Sequence, residues 1–165
     1  MSVGITLDEL LAWNEQSANY WKTYLDANPA LLQLPCDIGG TNNVQGFVRH
    51  IWAADLLWAQ RLAGLPMIDR EKLPSGPLDV LFDLHLQAVE IFRSLLAAPE
   101  SSWSDPLVLD FNWVPPEERT PSRRKIAAHV LFHSQRHWAQ LATLVRSAGF
   151  PSKFRGDLLF SPALR

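Results

Sequence analysis

The chain lacks the features that mark secreted, membrane-spanning and nucleic-acid-binding proteins. Its one cysteine, Cys36, excludes an internal disulfide bond and is typical of a reducing compartment. No stretch approaches the roughly 18 consecutive apolar residues of a membrane helix, and no basic segment followed by an apolar one marks a signal peptide. The formal net charge is −2, and no basic block exceeds Arg123–Lys125, whereas nucleic-acid binders carry a basic face. We therefore expect a cytoplasmic protein with neither a nucleic-acid nor a membrane partner.

Composition indicates one globular domain spanning residues 1–165. Apolar residues make up 47 % of the sequence and charged residues 19 %, which is ordinary for a folded domain and far from the composition of a disordered chain. A chain of 165 residues is long enough to bury one hydrophobic core and gives no reason to divide.

Four stretches of the chain carry apolar residues at helical spacing. We place them at residues 6–28, 41–63, 77–98 and 120–149. Thr6 and Glu9 have the spacing of a capping box at the first start, and Thr120 followed by Pro121 is typical of a cap with proline at the first helical position. Four long helices predict an all-α fold, a four-helix bundle.

The apolar stripes predict which face of each helix points inward. The stripe of the first helix is interrupted by Asn14, and the stripe of the fourth has two histidines at its centre. The predicted inward residues of the second helix are Phe47, His50, Ala54 and Leu57. Those of the fourth helix are Ile126, Val130, His133, His137, Gln140 and Leu144.

The connection between the third and fourth helices is long and contains a different pattern. Its middle, "LVLDFNW" at residues 107–113, alternates apolar and polar residues between prolines. Because such alternation is typical of extended chain, we predict a short extended segment there, a strand or a hairpin. The tail after Gly149 has no long period, and we expect it to pack across the bundle through four apolar side chains. These are Phe154, Leu158, Leu159 and Phe160.

Three of the five histidines recur four residues apart in the fourth helix, at His129, His133 and His137. At about 1.5 Å of rise per residue, His129 and His137 lie roughly 12 Å apart, too far to share one ion through bonds of about 2.0–2.1 Å. Only histidines one helical turn apart can bind the same ion. Of the two such pairs, the apolar stripe contains His133 and His137. His129 falls at the flank of that stripe.

A third ligand has to come from a facing helix, and His50 fits because its helical neighbours are apolar. Two imidazoles from one helix and one from another leave a coordination position open, which is typical of reactive rather than structural metal sites. Imidazole ligands suit Zn, Ni, Fe and Cu, so these residues do not select one divalent metal.

Other interpretations stay open. A lone histidine on an apolar face, such as His85, is ordinarily a hydrogen-bonded core residue. The same structural interpretation is open for His133 and His137. Opposed histidines in a bundle can also hold haem. Seven tryptophans are a high count for 165 residues, and exposed ones would indicate a non-catalytic interaction protein. Homodimers through bundle helices are expected in either case.

Two polar residues lie where they would orient a ligand imidazole. Gln140 follows His137 on the same stripe, and Asn14 interrupts the stripe of the first helix. For each residue there is an alternative to this orienting role, in which the side-chain amide is a structural group hydrogen-bonded within the core. Three tryptophans are candidates either for the walls of a pocket or for plain core, namely Trp52, Trp58 and Trp138.

The sequence resembles the DinB/YfiT-like superfamily of four-helix bundles. The resemblance is carried by "FVRHIWAADLLWAQRL" at residues 47–62 and by "HVLFHSQRHWAQLATLVRSAG" at residues 129–149. The second segment is similar to the family's pattern of His, three residues, His, then Gln three residues further on and a leucine-rich run that ends in Gly. Helix order and chain length extend the resemblance over nearly the whole sequence.

The resemblance implies a divalent metal bound by His50, His133 and His137. Characterised relatives are thiol-dependent transferases and isomerases. The resemblance therefore implies a metal-dependent enzyme, a thiol S-transferase or a related hydrolase, that takes a small-molecule substrate and a low-molecular-weight thiol. The chain departs from the family's common pattern at Arg136, Trp138 and Ala139. These departures leave two interpretations open, a different ligand or no ligand at this position.

Overall fold

The computed structural model describes residues 4–97, 99–112 and 114–163. Within these ranges the chain forms α-helices, short 3₁₀ turns and irregular segments, and no β-strand. The helices are α1 (Leu7–Ala27), α2 (Val44–Ala63), α3 (Leu78–Leu96) and α4 (Arg123–Ser147). The predicted all-α fold with four long helices is confirmed. In the described part of the chain, no helix combines the length and the apolar character needed to span a bilayer.

The four helices pack as a bundle in which α2 and α4 are neighbours. α2 packs most extensively on α3 and also packs on α4, while α1 packs on both α3 and α4. The order around the bundle is therefore α1, α3, α2, α4, with α1 diagonally opposite α2. Because His50 lies on α2 and the histidine pair lies on α4, this order brings the predicted metal ligands to the same side of the bundle.

The starts of α1 and α3 lie close to their predicted positions. The Thr6 hydroxyl accepts a hydrogen bond from the Glu9 N–H at 3.2 Å, and the Glu9 carboxylate accepts one from the Thr6 N–H at 2.7 Å. This reciprocal pair satisfies N–H groups that a helix start leaves without partners. Pro77 precedes α3 with ψ at 156°, so it caps the helix instead of entering it. The predicted end at residue 98 lies outside the described residues.

The start of α2 was predicted three residues too early. The Cys36 N–H donates to the Asn42 carbonyl at 3.2 Å, and this pairing holds the chain before the helix extended. Asn43 then becomes the cap, because its side-chain oxygen accepts from the Gly46 N–H at 2.8 Å. Helical spacing extends back to Thr41, but the backbone of that residue is extended.

The prediction that Thr120 caps α4 was also wrong, and the cause is again backbone pairing. The Leu107 N–H donates to the Pro121 carbonyl at 2.9 Å, which keeps Pro121 outside the helix. Ser122 is the cap, and its hydroxyl accepts from the Lys125 N–H at 3.2 Å. A contact between residues far apart in sequence therefore sets this helix start, and local spacing does not reveal it.

The connection between α3 and α4 contains the predicted extended segment. Leu107 and Leu109 donate backbone hydrogen bonds to the carbonyls of Pro121 and Arg119, at 2.9 and 2.7 Å. The connection thus folds back antiparallel on itself, with one isolated bridge instead of a strand. Residue 113, at the end of the predicted segment, lies outside the described residues.

Of the four tail side chains predicted to pack on the bundle, two do so. The ring of Phe154 lies 5.2 Å from the ring of Trp21, and Leu158 packs against the core. Leu159 and Phe160 are 86 % and 45 % exposed, so the prediction was wrong for them. Residues 158–160 form a 3₁₀ turn, which points successive side chains in different directions and leaves only Leu158 facing the bundle.

Five of the six described tryptophans belong to the core. Trp13, Trp21, Trp52, Trp103 and Trp138 are buried, and Trp58 is half-buried. Trp113 lies outside the described residues. The six described tryptophans therefore present no exposed face for self-association, and homodimer formation stays a prediction.

Candidate metal centre

The side chains of His50, His133 and His137 meet between α2 and α4. One ring nitrogen of each lies within 4.8 Å of a ring nitrogen of the other two. The ring centroid of His137 lies 4.3 Å from that of His133 and 5.1 Å from that of His50. No other group of three His, Cys, Asp or Glu side chains among the described residues comes as close together. The three residues predicted from the sequence are thus the ones that the fold assembles.

The donor set fits a divalent ion with tetrahedral coordination. Nε2 of His133 lies 3.0 Å from Nε2 of His137, and an ion with bonds of about 2.0–2.1 Å holds its nitrogen ligands about 3.3–3.4 Å apart. This pair therefore needs to open by only about 0.3–0.4 Å. His50 needs to move by on the order of 1 Å, which small changes in its side-chain torsions supply.

Gln140 holds His137 in the tautomer that binds metal. Nδ1 of His137 lies 2.6 Å from Oε1 of Gln140. An amide oxygen only accepts hydrogen bonds, so Nδ1 carries the proton and Nε2, which faces His133, keeps its lone pair. Gln140 thus contacts a candidate ligand, as an orienting residue would, although its side chain is exposed rather than buried, and its role in orienting a bound metal ligand stays a prediction.

All three imidazoles are held neutral, which is the state in which they bind metals. Burial lowers the pKa of His50 to about 4, with His137 and two nearby arginines adding to the shift. Burial, followed by the neighbouring His137 and His50, lowers the pKa of His133 to about 3. Burial also lowers the pKa of His137, although the hydrogen bond to Gln140 opposes this shift. At neutral pH, protons therefore do not compete with a metal ion for these nitrogens.

Backbone and side chains from outside α2 and α4 pack around His50. The Gly39 backbone lies against the ring so closely that a Cβ there would be 3.4 Å from Nε2, and its φ of +66° is one that glycine adopts without strain. Nη2 of Arg70 lies 3.1 Å from Nδ1 of the same ring. The 3₁₀ turn before α2 and the connection after it thus both contact His50. Because a guanidinium only donates, the Arg70 contact uses the one ring lone pair of the neutral imidazole and has to be released before His50 can bind an ion.

A cavity of about 490 Å³ opens beside the histidines, which is within the size range of small-molecule sites. Its polar side is formed by His50, His129, His133, Arg61, Arg70 and Arg136. Its apolar side is formed by Ala54, Leu57, Trp58, Met67, Ile68 and Phe111. Two of the three candidate ligands therefore face a space large enough for a substrate.

Part of the predicted inward face of α2 lines the cavity. Ala54 and Leu57 are half-buried residues of the cavity lining, and Leu57 also packs against the core. Apolar spacing alone does not separate a face that packs on protein from one that lines a pocket. Trp58 lines the cavity as a pocket wall, whereas Trp52 and Trp138 are fully buried core residues.

The remaining candidates lie outside the ligand set. His129 is exposed, and its ring centroid lies 6.0 Å from that of His133. Asn14 is buried, and its Nδ2 has no hydrogen-bond partner among the described residues, so no contact supports its predicted role in orienting a ligand. His85 is buried in the core, as its structural interpretation predicts, but neither of its ring nitrogens has a hydrogen-bond partner among the described residues.

Two features of the centre were missed by sequence reasoning. One is Arg70, which reaches His50 from the connection between α2 and α3, where no periodic pattern predicts the path of the chain. The other is a buried polar cluster of Asp55, Ser134 and His85. The Ser134 hydroxyl donates to Oδ1 of Asp55 at 2.6 Å, and Nδ1 of His85 lies 3.6 Å from Oδ2 of that carboxylate. A carboxylate within the apolar run "WAADLLW" was the available signal for this cluster.

The chain matches a known protein family. The family model for the DinB superfamily matches residues 8–141, a range that includes all three histidines. None of the curated proteins searched matches the chain.

Proposed function

This chain belongs to the DinB superfamily, and from that premise we propose that it is a metal-dependent enzyme whose divalent ion is bound by His50, His133 and His137. The observation that carries the proposal is the convergence of three neutral imidazoles, with one nitrogen of each within 4.8 Å of the others, at the end of a cavity. Zn, Ni and Fe all suit three imidazole ligands.

The reaction that we propose is the transfer of a thiol to an electrophilic small molecule, or a related hydrolysis or isomerisation. A divalent ion bound there supplies Lewis acidity, which lowers the pKa of a thiol or a water molecule that reaches the site. In the transfer, the sulfur of a low-molecular-weight thiol forms a bond to an electrophilic carbon. The thiol proton goes to solvent, and the leaving group departs with its bonding electrons.

Residues of this chain have distinct tasks in that reaction. Gln140 keeps Nε2 of His137 directed at the site. Trp58 and Leu57 form apolar wall next to the imidazoles and limit the water that reaches them. The cavity therefore admits a substrate from one side while the bundle closes the other.

A thiol-conjugation assay with metal-loaded protein tests this proposal. We expect His133→Ala and His137→Ala to lose both the bound ion, measured by elemental analysis, and the conjugation activity. Thr143→Ala is the matched control, because Thr143 is exposed on the same helix and does not line the cavity. Equal rates in the wild type and both histidine variants would refute the enzymatic proposal.

One observation favours a second candidate, a non-catalytic binding bundle. The 3.0 Å between Nε2 of His133 and Nε2 of His137 is also a hydrogen-bond distance, so the pair can be satisfied when His133 donates to His137. In that case the purified protein carries no divalent ion, and a chelator leaves its melting temperature unchanged.

A further inference from the structure

We propose that the cavity beside the three histidines binds a compound that joins a carboxylate to a flat apolar body. This inference rests on the proposed function for the identity of the site and adds the chemical class of its substrate. Three features of the cavity support it. Two of its arginines have no acidic partner, one of its walls is apolar, and the chain segment that carries Arg70 is fixed to α2.

The cavity has an excess of positive charge. Of its three arginines, Arg61 is neutralised by Asp110, whose Oδ1 lies 3.0 Å from Nη1. Arg70 and Arg136 make no ion pair with any carboxylate in the described part of the chain. The described residues that line the cavity include no Asp and no Glu. Two cations at one cavity without a counter-charge favour an anionic ligand.

The two arginines without acidic partners both contact the histidine cluster. Nη2 of Arg70 lies 3.1 Å from Nδ1 of His50, and Nη2 of Arg136 lies 3.4 Å from Nε2 of His137. The rings of His50 and His137 are 5.1 Å apart between centroids, and both arginines line the cavity beside them. A divalent ion bound to these imidazoles would repel both groups, and an anion between them offsets that repulsion.

The shape of the two guanidinium groups also suits a carboxylate. Guanidinium groups are planar forks that bind a carboxylate through two parallel hydrogen bonds. The geometry and the charge therefore select the same head group.

The segment that carries Arg70 is fixed to α2. The guanidinium of Arg49 donates to three backbone carbonyls, those of Arg70 (3.2 Å), Leu73 (2.8 Å) and Pro74 (2.7 Å). Oε1 of Gln60 accepts from the Ile68 N–H at 3.2 Å at the other end of the segment. Arg70 is thus held before a ligand arrives, which reduces the entropy that binding has to overcome.

The rest of the cavity is suited to an apolar body. Trp58 and Phe111 meet edge to face, with ring centroids 5.7 Å apart, and Leu57 lies beside them. Met67 and Ile68 are 42 % and 38 % exposed, so they form the mouth. A flat apolar group fits against these side chains while its carboxylate reaches the arginines.

Isothermal titration calorimetry with phenylpropanoate and with uncharged phenylpropanol tests the proposal. Both probes are titrated into chelator-treated and into zinc-loaded protein. We expect the carboxylate to bind at least tenfold more tightly than the alcohol in both forms, as a charge-assisted hydrogen bond predicts. Arg70→Gln and Arg136→Gln should each lower the affinity for the carboxylate by roughly tenfold and leave that for the alcohol unchanged.

Arg124→Gln is the matched control, because Arg124 is exposed on α4 and does not line the cavity. It should bind both probes as the wild type does. A carboxylate preference that appears only with zinc and survives both arginine substitutions would overturn the inference, because the ion alone would then hold the probe. A preference that depends on the arginines in protein that binds no zinc would uphold it even if the metal-dependent function fails.

Discussion

Nδ1 of His137 lies 2.6 Å from Oε1 of Gln140, on the side of the ring opposite the nitrogen that faces His133. The two residues are three positions apart, a spacing at which side chains on one helix meet. Because both belong to α4, the contact forms as soon as the helix does, without help from a second element. The same helix therefore supplies a metal ligand and the group that sets its tautomer.

Replacing Gln140 tests this relationship. Gln140→Leu removes the acceptor for the Nδ1 proton, so His137 can turn or change tautomer, and we expect zinc affinity to fall by about 10–100-fold. Gln140→Glu keeps an acceptor at that place and should retain most of the affinity. Competition with a zinc chelator of known affinity measures both.

Thr143→Val is the matched control for the Gln140 variants, since Thr143 is exposed one helical turn further along α4 and its hydroxyl donates to the Ala139 carbonyl of its own helix. It should bind zinc as the wild type does. Unchanged affinity in Gln140→Leu would show that the hydrogen bond to His137 does not orient the ligand.

Metal binding should stabilise the folded protein. The three nitrogens converge only in the folded chain, and a ligand at 100 times its dissociation constant raises the free energy of unfolding by about 2.7 kcal/mol when it binds the native state alone. We expect this gain with zinc in the wild type and its absence in His50→Ala, measured by urea unfolding with and without the ion. An equal gain in both proteins would place the bound ion elsewhere.

The stability of the chelator-treated protein should depend on pH through His50 and His133. Their pKa values of about 4 and about 3 lie below the ordinary histidine value of 6.5. The unfolded chain therefore binds more protons than the folded one below pH 6.5, so the free energy of unfolding should fall as the pH drops from 6.5 toward 4. Melting temperatures across this window measure the effect.

Neutral replacements identify the histidines responsible for this pH dependence. His50→Gln and His133→Gln each remove one group that gains a proton on unfolding, so their melting temperatures should fall less steeply with pH than that of the wild type. Parallel profiles for all three proteins would mean that neither imidazole is held neutral in the fold.

Helical spacing was sufficient to predict the four helices and the three candidate ligands. His133 and His137 share a face because they are four residues apart, and His50 could be paired with them because its neighbours are apolar. The contribution of Arg70 could not be predicted, because Arg49 holds its segment through backbone carbonyls, which bear no sequence signature. The late start of α4 depends in the same way on backbone bonds to the extended connection.

The buried cluster behind the metal centre should contribute to stability. Ser134 is fully buried, and its hydroxyl donates to Asp55 at 2.6 Å. Ser134→Ala leaves that buried carboxylate oxygen without this donor, which should cost about 1–3 kcal/mol of unfolding free energy. Ser94→Ala is the control, because the Ser94 hydroxyl is exposed and donates to the carbonyl four residues before it, as the Ser134 hydroxyl also does to Val130 at 3.4 Å. It should change stability by no more than about 0.5 kcal/mol.

A double-mutant cycle separates this hydrogen bond from other effects at the two positions. Asp55→Leu alone removes the acceptor and should destabilise the protein, since the buried Ser134 hydroxyl and His85 then lose a polar neighbour. Combined with Ser134→Ala, it removes both partners of the bond, so the double variant should be more stable than the sum of the single losses predicts. Urea unfolding at neutral pH gives the coupling energy. Additive losses would mean that Ser134 and Asp55 act independently and that the short contact between them contributes nothing to the fold.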